Sequence, residues 1–119
     1  MKIINEEEII KKYREGERDF SGIELDDKTY NFQSIELEGV DFSNSYITAN
    51  FKDSKLKNAK FNNSNIKTCD FQNADLTNTD FRNTLLESTE FTGAILNGAN
   101  FENARNYAYV MKKGEIPNW

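Results

Sequence analysis

Between residues 51 and 101 a large apolar side chain recurs at every fifth position: Phe51, Leu56, Phe61, Ile66, Phe71, Leu76, Phe81, Leu86, Phe91, Leu96 and Phe101. No single regular element explains this. At about 100° per residue, helical positions five apart diverge by about 140° and make no stripe. In a strand, odd spacings point to opposite faces. The period requires a chain that runs straight for about three residues and then turns a corner, once in every five. Within each straight piece, residues two apart face the same way, so the position two before each large residue must also point inward.

That position is always small: Ala49, Ser54, Ala59, Ser64, Cys69, Ala74, Thr79, Thr84, Thr89, Ala94 and Ala99. A narrow lumen filled alternately by large and small side chains fits a tightly wound solenoid. It also explains how a chain with only 37% hydrophobic residues can build a core, since two residues in five are interior. Two after most large residues stand Asn58, Asn63, Asn73, Asn78, Asn83, Gly93, Gly98 and Asn103. Asn and Gly accept positive φ most readily, so turn chemistry falls where corners are needed. Four corners close a square of about twenty residues, and the alternation of Phe with Leu or Ile supports that longer period. Stacked coils then align Phe51, Phe71 and Phe91 on one wall and Phe61, Phe81 and Phe101 on the opposite one. Leu56, Leu76 and Leu96 line the third wall, and Ile66 and Leu86 the fourth.

The segments "ADLTN" (74–78) and "ANFEN" (99–103) resemble the repeats of the pentapeptide-repeat proteins. The resemblance implies an all-β fold, a right-handed quadrilateral parallel β-helix with four pentapeptides per coil. Seventeen repeats, or about four coils, can be counted over residues 18–103. Two phase slips interrupt them: a two-residue insertion at Lys28 and Thr29, and a repeat one residue short at "SYIT", predicting irregular corners near 27–29 and 48.

Solenoid ends need capping. Residues 1–17 read as a capping helix, with Asn5 as N-cap, Glu8 completing a capping box, Ile4 and Ile9 as a hydrophobic staple and Gly16 as the stop. Residues 104–119 break the repeat. They read as a cap or tail with a short helix to about Lys113, ended by Gly114 and Pro117.

The chain lacks histidine, which removes the commonest general base and a leading metal ligand. Asp70, Asp75, Asp80 and Glu90 precede interior residues and therefore point outward, as a solvated face rather than a catalytic pocket. Cys69, the single cysteine, sits in a slot otherwise filled by Ala, Ser or Thr and reads as buried filler. No cofactor, metal or catalytic residue is expected, and the chain reads as a non-enzyme, an enzyme of unknown type being the third reading. A net charge of −5 disfavours direct nucleic-acid binding and anionic membranes, and a reducing, bacterial-type cytoplasm is the expected setting.

The expected function is a rigid protein–protein interaction module. The alternative carried by the resemblance is a mimic of DNA, since some family members bind DNA gyrase or topoisomerase IV and protect against quinolones. Against that stands the basic stretch 49–68, with Lys52, Lys55, Lys57, Lys60 and Lys67 facing only Asp53. Lys55 and Lys60 stand twenty residues before Asp75 and Asp80, which suggests ion pairs across coils. Leu85 and Ile95 occupy outward slots that elsewhere hold polar residues. With Tyr107, Tyr109, Met111 and Trp119 of the tail they form the candidate interaction surface. Either the tail folds over Leu85 and Ile95, or they face an unknown protein partner or a second copy in a homodimer joined at the C-terminal ends.

Overall fold

The computed structural model describes residues 2–119, and for residues 26–28 the backbone alone. Its corners are where the Asn and Gly residues place them. Asn58, Asn63, Asn73, Asn78, Asn83 and Asn103 have φ between 56° and 64°, and Gly93 and Gly98 have φ of 75° and 72°. The same left-handed conformation is held at intervening corners by Asp53, Thr68 and Ser88.

Between corners the chain pairs with the coil below it through parallel bridges. Asn50, Asp70 and Glu90 are bridged in one column, and Lys55, Asp75 and Ile95 in the next. Lys60, Asp80 and Asn100 form the third, and Asn65, Leu85 and Arg105 the fourth. Partners in these columns lie twenty residues apart, so one coil has four walls of five residues. The hydrogen bonds repeat with the same step: Leu56 N–H donates to the Asp75 carbonyl, and Leu76 N–H to that of Ile95, each at 2.9 Å.

Both phase slips are visible in the register. Strand β2 (Ile23–Asn31) pairs in parallel with β3 (Tyr46–Asn50). Leu25 stands opposite Ile47, an offset of 22, whereas Tyr30 stands opposite Ala49, an offset of 19. The first offset carries the two extra residues, and the second carries the missing one at 48. The side chain of Lys28 lies outside the described residues.

The lumen is packed as the large–small alternation requires. Phe51 stacks on Phe71 at 5.1 Å and Phe71 on Phe91 at 5.2 Å, with interplanar angles of 3° and 7°. Phe61, Phe81 and Phe101 stack likewise, at 5.2 and 4.7 Å. The two columns meet edge to face across the lumen, as Phe71 does with Phe81 at 5.5 Å and 83°. Both geometries suit the aromatic quadrupole.

At the N-terminus, strand β1 (Lys2–Ile3) adds in parallel to β2, and helix α1 (Glu6–Arg14) covers the first coil. The Asn5 side chain accepts from the Glu8 N–H at 2.8 Å, and Ile4 and Ile9 are buried. Glu8 does not close a capping box; its carboxylate lies 3.2 Å from the Lys12 ammonium, one helical turn on. The C-terminal tail is not helical. Strands β4 (Arg105–Asn106) and β5 (Tyr109–Val110) form an antiparallel hairpin, turned at Tyr107 with φ of 56°.

Candidate interaction surface at the C-terminal end

The outward acids prove to be turn formers. In Asp70, Asp75 and Asp80, Oδ1 accepts from the backbone N–H two residues on, at 3.0 Å each. Asn50, Asn65 and Asn100 do the same at 2.9 to 3.2 Å. Such Asx turns satisfy a corner N–H that the neighbouring coil leaves free. Asp75 also accepts from the Thr77 hydroxyl at 2.6 Å, the main reason its pKa lies below the usual carboxylate value. For Asp80, burial opposes ionisation, but hydrogen bonds and charge from Arg82 outweigh it and lower the pKa. Lys55 and Lys60 make no close ion pair with Asp75 or Asp80 among the described residues, but their charge across the coils helps to lower both carboxyl pKa values. Asp80 pairs instead with Arg82 at 2.8 Å, because a guanidinium two residues on shares its corner. Lys52 approaches Asp70 across coils, at 3.8 Å.

Cys69 is fully enclosed, and its Sγ–H donates to the Ile47 carbonyl at 3.2 Å. Burial pushes its pKa up to about 12, so it stays a thiol. No group of His, Cys, Asp and Glu side chains suited to a metal ion occurs among the described residues. No helix there is long and apolar enough to cross a membrane.

The tail is built onto the last coil. Leu86 N–H donates to the Arg105 carbonyl, so the hairpin begins as a continuation of the Leu85 wall. Met111 then turns inward: its N–H donates to the Ala104 carbonyl and its carbonyl accepts from Asn103, at 2.8 and 3.0 Å. The chain next crosses to the Glu90 wall, where the Trp119 carbonyl accepts from Phe91 N–H at 2.8 Å. The Trp119 ring meets Phe91 edge-on at 6.3 Å. Tyr109 donates its hydroxyl to the Glu115 carboxylate at 2.7 Å. That bond is the first cause of a raised Tyr109 pKa and a lowered Glu115 pKa. Tyr107 reaches down the rod to Ser88, with the hydroxyls 3.3 Å apart.

The structure thus divides the six candidate residues. Met111 is buried and Trp119 half-buried, both engaged in closing the lumen. Tyr107 and Tyr109 are exposed, at 66% and 50%. Leu85 is half-buried and shares a surface hollow with Arg105 and Val110. Ile95 lies on the Asp75 wall, opposite the Leu85 wall, and is 50% exposed. Leu85 and Ile95 therefore do not form one lateral patch, because ten residues is half a coil.

A four-walled parallel coil with Phe-stacked lumen and Asx-turn corners defines a class of β-solenoid. The chain matches the Pentapeptide repeat region family over residues 30–106, and it belongs to that family. Its members form right-handed quadrilateral β-helices. Among solved structures, a trypsin-treated R167E form of QnrB1, a plasmid-mediated fluoroquinolone resistance protein, is 23% identical. That match covers 74% of this chain and 49% of the other, with a TM-score of 0.59. Full-length QnrB1 is 18% identical over 87% of this chain and 55% of its own, with a TM-score of 0.52. The pentapeptide repeat protein alr5209 from Nostoc PCC 7120 is 31% identical, over 87% and 81% of the two chains, with a TM-score of 0.46. The chain thus spans about half the length of the QnrB1 structures. No curated protein matches significantly.

Proposed function

We propose that this protein is a non-enzymatic, rigid interaction module that binds another protein through its tail-bearing end. One observation carries the reading. Among the described residues seven large apolar side chains are exposed, and five of them are Ile95, Tyr107, Tyr109, Val110 and Ile116. All five belong to the last coil or the tail, whereas the walls below present mainly Asp, Asn, Lys and Thr. Apolar and aromatic side chains concentrated at one end of a polar rod are the composition of a contact surface. The Phe ladder beneath holds that end in a fixed shape, so little ordering entropy opposes docking.

The test is capture from a lysate of the native host by the intact protein and by an Ile95→Lys, Tyr109→Ser variant of unchanged melting temperature. A specific partner should be retained by the first and lost by the second. Equal retention would overturn the placement of the surface. A second reading, a binder of DNA gyrase or topoisomerase IV, draws on the fold likeness to QnrB1. The five lysines of residues 49–68 weigh against acidic mimicry of DNA. Protection of gyrase supercoiling from a fluoroquinolone by the purified protein would favour that reading, and its absence would remove it.

A further inference from the structure

On the Leu85 wall the outward residues form one unbroken row along the rod. Ile3 is paired with Glu24, and Glu24 with Tyr46. Tyr46 is bridged to Asn65, Asn65 to Leu85 and Leu85 to Arg105. Arg105 pairs with Val110 in the hairpin. Paired residues of a sheet point to the same face, on strands about 4.8 Å apart. Ile3, Tyr46 and Val110 are 73%, 46% and 41% exposed, and Leu85 is half-buried. Among the outward residues of the other bridged columns, only Ile95 is apolar. The row is also self-complementary. Asn65 is its centre, with three residues to either side. Read from the two ends inward, Ile3 is matched by Val110, Glu24 by Arg105, and Tyr46 by Leu85.

We infer that this wall docks a second copy of the chain, face to face with its rod reversed, about a twofold axis at Asn65. Such an isologous contact requires a surface that complements itself, which the row does. Glu24 of each copy meets Arg105 of the other, and neither residue forms an ion pair among the described residues. Tyr46 enters the hollow that Leu85, Arg105 and Val110 line on the other copy. Asn65 Oδ1 accepts from Lys67 N–H, but its Nδ2 has no partner among the described residues and can donate across the axis. With the rods parallel, Glu24 would face Glu24 and Arg105 would face Arg105, so charge selects the reversed arrangement. The corners beside the row carry Asn63 and Asn83 on one side and Lys67 and Glu87 on the other, a polar rim. Lys67 meets its own copy at the axis, with the second copy's Glu87 one level away. The molecule measures 36 × 26 × 20 Å, which bounds the contact to roughly 700 Å² per copy. A standard stable interface buries about 800 Å² per partner, so the dimer is a weak, concentration-dependent one. The inference stands apart from the proposed tail-end surface, whose Ile95 lies on the opposite wall.

The test is sedimentation equilibrium of the intact protein up to millimolar concentration, with melting temperatures measured in dilute solution to show that each variant folds. The intact protein should pass from monomer to dimer as concentration rises. Glu24→Arg alone and Arg105→Glu alone each set like charges against one another at two symmetric places. Either should weaken the dimer by about tenfold or more, and the two together should restore it. Tyr46→Lys should leave a folded monomer, whereas Ile95→Lys should dimerise as the intact protein does. A protein that stays monomeric at millimolar concentration would overturn the inference. So would a dimer indifferent to Tyr46→Lys and to both charge reversals, since the copies would then meet through another surface. Single reversals without restoration in the double variant would overturn the reversed pairing of Glu24 with Arg105. Loss of the dimer in Tyr46→Lys with tail-end capture of another protein retained would show the two surfaces to be separate, as the row requires.

Discussion

Thr68 holds φ at 64° although it is β-branched, a conformation that such residues rarely adopt. Its hydroxyl reaches the adjacent Lys67 carbonyl at 2.6 Å and offsets part of the strain. Asn is the commonest residue at the other corners, so Thr68→Asn should stabilise the protein by about 0.5–1 kcal/mol in a denaturant melt. Asp75 sets a pH dependence. Its pKa is lowered in the folded state, chiefly by the Thr77 hydroxyl. The stability it contributes is therefore complete above the ordinary carboxylate pKa and is lost as pH falls through the folded value. Asp75→Asn keeps the Asx acceptor but cannot titrate, so the loss of melting temperature between pH 6 and about pH 3 should be smaller in the variant. The inward residues were legible because volume and period both mark them: nothing but a large side chain stands at Phe71, nothing but a small one at Cys69. The turn-forming role of Asp70 and Asp75 was not read, because outward acids look the same whether they are merely solvated or hold a corner.

At the scale of elements, the repeat and its slips were legible, and the ends only in part. The insertion before Tyr30 and the deletion at Thr48 appear as phase errors in a strict period, and phase is what sets register. The helix beginning after Asn5 carried its own cap. The tail lacked any such clock. Tyr107, Tyr109, Val110 and Met111 suit a helix face or a hairpin equally well, and what decides is the pairing of Met111 with Asn103 and Ala104. Since Trp119 packs on Phe91 and Met111 pairs with Asn103 and Ala104 just after Phe101, deleting residues 105–119 should expose stacked rings and an unpaired edge. The shortened protein should associate in sedimentation and melt earlier, because large apolar surface and free strand edges are both sticky. A truncated protein that stays monomeric with an unchanged melting temperature would show that the tail does not cap.

For the whole molecule, the twenty-residue offset governs which changes of length the chain tolerates. Removing residues 70–89 joins Cys69 to Glu90, so Phe91 falls on Phe51 and Phe101 on Phe61, as Phe71 and Phe81 did before. Every corner, inward slot and hydrogen bond is inherited unchanged, and only the height of the rod falls. Removing just residues 70–74 turns all that follows by a quarter-circle. Leu76 then lands on Phe51 and Phe81 on Leu56, and both aromatic stacks are severed. The twenty-residue deletion should therefore yield a folded, shorter protein with a cooperative melt, and the five-residue deletion a much less stable one, although it removes a quarter as much chain. Whole coils are the units in which such a lineage can lengthen or shorten without losing its core, so relatives of very different length remain the same construction.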